Sequence, residues 1–186
     1  MELSNLNIKN GLCISLGANI DSKFGSPIET LLKCRPVIED IIKNWMTSLH
    51  AKEKQISSKS FFSWSSIYLT NPHGTSIQQP DYLNSLLLVK SLSLLEPSSK
   101  KAKSLLQKFK FLEEEYGRDI SKNNKKWLSR CLDIDILWWE DLNIKDSDIT
   151  LPHPRFMNRN FVITPLAEVL TKYQKIDKYI DERWRI

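Results

Sequence analysis

Apolar positions along this chain change period several times, and each change marks an element. Gly11 to Leu16 is mostly short and apolar, a first strand that ends at the turn signal Gly17-Ala18-Asn19. Pro27 then opens a helix in which Ile28, Leu31, Leu32, Val37, Ile38, Ile41, Ile42 and Trp45 recur at helical spacing, with a kink expected at Pro36. The stretch 44–62 is polar and charged without a clear period, and it reads as an extended loop or hairpin arm. Phe61 to Leu69 and Tyr82 to Leu92 are rich in aromatic and branched residues, and the turn chemistry of Asn71-Pro72-His73-Gly74 between them makes them paired strands.

Glu96-Pro97-Ser98 starts a second helix. Its Leu105, Phe109, Leu112 and Tyr116 fall on one face, and Gly117 ends it. Leu132 to Trp139 is a further strand, Leu151-Pro152-His153-Pro154 a rigid extended turn, and Pro165 to Leu170 the start of a short helix. In the tail, 171–186, Asp177 to Trp184 suggests one more helix. This order predicts one domain over 1–186 with an α+β, ferredoxin-like fold: an antiparallel sheet with helices packed on one face, the other face free for a ligand.

Composition narrows the class. A hydrophobic content of 41% against 26% charged residues fits a folded chain that is not embedded in a membrane. The apolar run Leu86 to Val89 is stopped by Lys90, and Met1 to Asn5 has no basic start before an apolar core, so a cytoplasmic protein is expected. Cys13, Cys34 and Cys131 are widely separated and read as reduced packing residues. A net charge of +5 favours an anionic partner without distinguishing a nucleic acid from a nucleotide. Lys100, Lys101 and Lys103, and Lys172, Lys175 and Lys178, have the spacing of solvated helix faces, whereas Lys122, Lys125 and Lys126 lie beside Arg118, Trp127 and Arg130 in a stretch without period that suits a mobile anion-binding loop and an inert one equally. With five glycines in the chain there is no glycine-rich phosphate loop.

The chemistry concentrates in Leu132-Asp133-Ile134-Asp135-Ile136. Strict alternation sends both carboxylates to one face, roughly 7 Å apart. Aspartate is a poor strand residue and like charges repel, so a hard divalent cation shared with nucleotide phosphates would offset the arrangement, although a solvated strand face would also carry such a pair. His153 between two prolines, with Arg155 and Arg159 after it, suits an anion contact. Tyr82, Asn84 and Phe161 can offer aromatic faces and an amide to a planar heterocycle.

Six blocks in order carry a resemblance: Leu16-Gly17-Ala18-Asn19, Tyr68 to Pro72, Gln79 to Asn84, Glu113 ahead of Gly117-Arg118, Arg130 ahead of Leu132 to Leu137, and Leu151 to Arg155 with Arg159 to Val162. Across about 13–170 the chain resembles the 6-hydroxymethyl-7,8-dihydropterin pyrophosphokinase family. The resemblance implies transfer of pyrophosphate from ATP to the pterin hydroxymethyl group with release of AMP, in folate synthesis. It implies that Asp133 and Asp135 hold two Mg²⁺, and that Glu113, Arg118, Trp127, Arg130, Ile136, Thr150, His153 and Arg159 line the ATP site. By the same carry-over Thr70, Pro72, Tyr82, Asn84 and Phe161 bind pterin, and Arg130, His153 and Arg159 assist the aspartates in catalysis. The partners expected are these small molecules alone, with no nucleic acid and no membrane, and the protein is expected to be a monomer.

The chain departs from the family pattern at Ile120, where a second arginine is common, and at Leu128-Ser129, where Gly-Pro is usual before Arg130. Two other classes compete. A ferredoxin-like nucleic-acid-binding module would place strand aromatics in a glycine-flanked pattern that is absent here, and its phosphate backbone would be repelled by the paired aspartates. A two-metal phosphohydrolase or nucleotidyltransferase would use the same carboxylates with water as nucleophile and would need no heterocycle slot.

Overall fold

Alternation along β1 (Leu12–Ala18) sets the architecture. Leu12, Ile14 and Leu16 face one side and are buried, while Cys13, Ser15 and Gly17, all small, face the other. The computed structural model describes residues 11–50, 61–72, 78–90, 96–118 and 128–173. In it β1 is central, paired antiparallel with β4 (Tyr82–Lys90) on one side and β5 (Asp133–Trp139) on the other. β2 (Phe61–Trp64) and β3 (Tyr68–Thr70) both pair antiparallel with the far edge of β4, giving a five-stranded sheet. A short hairpin, β6 (Ile144–Lys145) and β7 (Thr150–Leu151), forms a separate two-stranded sheet.

The apolar face of β1 packs with Leu87 and Val89 of β4 and with Ile134 and Ile136 of β5, under two helices. Helix α1 (Pro27–His50) contributes Leu31, Ile38, Ile42 and Trp45, and α2 (Ser99–Glu115) contributes Leu105, Phe109 and Leu112. The Glu29 side chain caps the start of α1: it accepts from the backbone N–H of Ser26 at 2.8 Å and from its hydroxyl at 2.7 Å, with Pro27 at the first helical position. The helix runs through Pro36 and continues to His50, so 44–50 is helical where the sequence reads as loop. Trp45 and Met46 are buried there, and Leu49 packs on the core, continuing the stripe begun by Ile38 and Ile42. Phe61 and Phe62 belong to β2, and residues 51–60 lie outside the described set.

The antiparallel sheet and the helical layer of α1 and α2 agree with the expected α+β, ferredoxin-like class. The opposite face is only partly free. Helix α3 (Asn160–Tyr173) and the 3₁₀ turn Phe156–Asn158 cover one end of it, burying Val162, Leu166 and Val169 against Leu86, Leu88, Leu137 and Trp138. The sequence places this helix at Pro165, five residues late, because Phe161 and Val162 before the proline carry no separate start signal. The suggested helix at Asp177 to Trp184 falls outside the described residues.

Two irregularities set which face of the sheet particular side chains take. Phe61 to Leu69 is not one strand: three residues, 65–67, stand against two of β4, so Trp64 faces α1 while Tyr68 and Thr70 face α3. In β5 the pairing with β1 shifts between Ile14 and Cys13, where Leu137 is the extra residue, and this aligns Trp139 with Leu12. Trp139 then meets Trp45 edge-on at 5.4 Å between ring centroids.

Candidate active site

Beside the first turn of α3, the open face of the sheet holds a cleft of about 460 Å³. Its floor is β1. Ser15 stands opposite Asp135 and Leu86, and Gly17 opposite Asp133 and Asn84. A Cβ on Gly17 would lie 3.1 Å from Asn84 Oδ1 and 3.8 Å from the Tyr82 ring, so the glycine keeps the floor flat between the acidic strand and the amide strand.

One wall is acidic at its base and basic above. Asp133 and Asp135 both open into the cleft, with Arg130, Arg155, Arg159 and His153 around them. Arg130 pairs closely with Asp133, Arg118 lies 3.3 Å from the same carboxylate, and Arg159 lies 3.9 Å from Asp135. Asp135 keeps 39% of its side-chain surface open, yet burial of its carboxyl, and then the Asp133 charge, push it up to about 6.

Behind the wall, Glu113 is buried on α2. It accepts the backbone N–H of Ile134 at 2.6 Å and pairs closely with Arg118, and burial together with Asp133 pushes its carboxyl up to about 8. Arg118 reaches this place because α2 stops in a Schellman turn. Gly117, at φ 107°, donates to Glu114 O and Arg118 to Glu113 O, both at 2.9 Å.

His153 follows a cis peptide between Leu151 and Pro152, and its backbone N–H donates to Leu137 O at 2.7 Å. Burial, then the charges of Arg159 and Arg155, hold its imidazole down to about 4, so it is neutral near pH 7. Its Nδ1 accepts the N–H of Arg155 at 3.3 Å, which puts the ring proton on Nε2 as a donor.

The opposite wall suits a flat polar ring. Tyr82 and Phe161 both line the cleft, with Thr70, Asn71 and Pro72 along its edge. Asn84 Nδ2 donates to Thr70 Oγ1 at 2.7 Å, which leaves its Oδ1 as an acceptor toward the slot. Tyr82 donates to Leu128 O at 3.2 Å, and Arg159 stacks over Phe161 at 5.4 Å. Buried Asn19 ties the walls together: it accepts from Arg130 N–H at 2.7 Å and donates to Ser129 Oγ and Pro80 O, each at 3.2 Å.

Ten of the residues singled out in the sequence therefore share one cleft: Thr70, Pro72, Tyr82, Asn84, Arg130, Asp133, Asp135, His153, Arg159 and Phe161. Glu113 and Arg118 stand behind it. The side chain of Ile136 lies in the core on the other face of the sheet, leaving only its backbone on the outer edge of β5. Thr150 lies in the separate hairpin and is not among the cleft residues. Trp127, Ile120 and the three loop lysines lie outside the described residues. Among the described residues no group of three His, Cys, Asp or Glu gathers as a metal cage. The two aspartates alone fit the one or two carboxylates that Mg²⁺ takes from a protein when substrate phosphates complete its shell.

Residues 13–171 match the family described as 7,8-dihydro-6-hydroxymethylpterin-pyrophosphokinase. The chain belongs to this pyrophosphokinase family. It is similar to proteins named 2-amino-4-hydroxy-6-hydroxymethyldihydropteridine pyrophosphokinase from three bacteria. With that of Haemophilus influenzae it shares 36% identity over 65% of this chain and 71% of the relative. With that of Helicobacter pylori it shares 28% over 87% and 82% respectively. The similarity to the Synechocystis protein, 35% identical, spans 49% of this chain and 42% of that relative. The pyrophosphokinase match begins at Cys13 and ends at Thr171, so it takes in every described cleft residue. Ser15, Gly17 and Gln79 are cleft residues that the sequence alone does not single out as such. For Ser15 and Gly17 the small face of β1 is the signal that could have found them.

Proposed function

We propose that this chain transfers pyrophosphate from ATP to 6-hydroxymethyl-7,8-dihydropterin, giving AMP and the pterin diphosphate for folate synthesis, with Asp133 and Asp135 holding two Mg²⁺. The observation that carries this reading is the sharing of one cleft by the aspartate pair and the slot of Tyr82, Asn84 and Phe161. Family membership supports the same reaction. The ions, when bound, neutralise the triphosphate and ease loss of the hydroxyl proton.

Positioning does most of what remains. Tyr82 and Phe161 hold the ring, Asn84 Oδ1 accepts from an N–H on its polar edge, and the backbone near Thr70 and Pro72 completes that edge. This sets the hydroxymethyl oxygen to bond with the β-phosphorus as the bond from that phosphorus to the oxygen bridging to the α-phosphate breaks. The electron pair leaves with AMP. Arg130 and Arg159 offset the charge gathering on the leaving group, and His153 donates a hydrogen bond from Nε2 as a neutral ring rather than as a cation. Glu113 and Arg118 hold Asp133 and β5 in place, Trp127 and Thr150 contribute to the ATP site, and Ile136 offers its backbone.

No helix among the described residues is long and apolar enough to cross a membrane. We propose a cytoplasmic monomer that binds these small molecules and no nucleic acid. The direct test is incubation with Mg-ATP and the reduced pterin, separating nucleotides by chromatography. AMP formed in step with pterin diphosphate is the expected result, and ADP as the product rejects pyrophosphate transfer.

A further inference from the structure

Glu168 lies on α3, away from the cleft, and is 2% exposed. A buried carboxylate needs partners, and Glu168 meets the bulge between β2 and β3 and the first residue of β3. It accepts from Ser66 N–H at 2.8 Å, from Ser66 Oγ–H at 2.9 Å and from the Tyr68 hydroxyl at 2.8 Å. From the α1 side, Arg35 donates to Ser65 O at 2.9 Å and to Ser85 Oγ at 2.7 Å, and its guanidinium is attracted to the Glu168 charge. The Ser65 hydroxyl accepts the N–H of Leu86 at 2.9 Å, closing the other side of the bulge.

The bulge decides which face β3 presents. Losing its extra residue would shift β3 by one position and send Tyr68 and Thr70 to the opposite face of the sheet. Thr70 in turn orients the Asn84 amide through the 2.7 Å bond from Nδ2. Two turns before Glu168 on the same helix stands Phe161, the aromatic side of the slot. One carboxylate thus ties the strand that reads the ring's edge to the helix that carries the ring's aromatic partner.

We propose that Glu168 is a positioning residue for the heterocycle, acting through Ser66 and Tyr68 to keep Thr70, Asn84 and Phe161 in mutual register. This rests on the pterin reading of the slot. It places no group near the phosphates, so it predicts a loss confined to one substrate.

Steady-state kinetics of Glu168→Ala, Glu168→Gln and Tyr68→Phe, with each substrate varied in turn, tests it. Glu168→Ala is expected to raise the KM for pterin about tenfold, the value of one hydrogen bond to a charged group, with the KM for ATP within about twofold of wild type. Glu168→Gln can still accept from Ser66 N–H and Tyr68 and donate to Ser66 Oγ, so it should restore the pterin KM to within about twofold. Tyr68→Phe keeps the ring and removes one bond. It serves if Glu168→Ala does not fold, and it should raise the pterin KM about threefold. Folded variants with both KM values unchanged, or with both raised equally, overturn the proposal while wild-type AMP production leaves the pterin reading standing. A wild type that makes no AMP from pterin and ATP removes both.

Discussion

The charged form of Asp135 costs the fold stability, because burial and the neighbouring Asp133 charge disfavour it. Its folded carboxyl titrates near 6, above the 3.8 of an ordinary aspartate, so the folded state holds the extra proton between those values. Whatever stability this lends is present below the ordinary value and is lost as pH rises through about 6. Asp135→Asn should therefore melt above wild type at pH 7.5 without metal or nucleotide, by about 2–4 °C per kcal/mol recovered, and it should lose pyrophosphate transfer. Paired thermal melts at pH 7.5 and pH 5 check this: the advantage should shrink at the lower pH, and a variant less stable than wild type at both would contradict it. The aspartate pair was legible because strand alternation is strict and two carboxylates on one face need an explanation. Gly17 looks like a turn residue in the sequence, because its place depends on Asn84 and Asp133, which are remote in sequence and become neighbours only through pairing. His153 lines the cleft, as its Pro-His-Pro setting beside two arginines suggests, but its neutrality comes from burial beside Arg159 and Arg155, which no spacing reveals.

Elements turn these residues into a site mostly by how they end. Gly117 adopts φ 107°, and an added Cβ would find Cys131 Sγ no closer than 3.7 Å, so the obstacle to alanine there is backbone strain rather than space. Gly117→Ala should cost about 1–3 kcal/mol and loosen the Schellman turn that delivers Arg118 to Glu113 and Asp133. A lowered urea midpoint together with a fall in kcat larger than that of Gly25→Ala, a glycine of positive φ near the start of α1, would bear this out. A stability loss with unchanged kcat would separate the turn from catalysis. The stop of α2 was plain in the sequence, since a glycine follows four apolar positions of helical spacing. The end of α1 was not: polar residues between Trp45 and Leu49 mask a stripe that continues the earlier one. The break between β2 and β3 was hidden for another reason. Phe61 to Leu69 has strand composition throughout, and only partners distant in the chain, Leu86 and Glu168, fix a bulge there.

For the whole molecule, the order of elements led to the right fold class, because strands and helices alternate as an antiparallel α+β sheet requires. It did not foresee that α3 would cross to the opposite face, which depends on Val162, Leu166 and Val169 finding Leu86, Leu88 and Leu137. That crossing closes one end of the open face and leaves a cleft with carboxylates on one wall and a ring slot on the other. The proposed transfer depends on those carboxylates gathering cations around a triphosphate. Electron paramagnetic resonance of Mn²⁺ in place of Mg²⁺, counted per chain in the presence of a non-hydrolysable ATP analogue, tests this most directly. Two ions bound to the wild type and almost none to the Asp133→Asn/Asp135→Asn double variant are expected, and equal counts for the two proteins would contradict it.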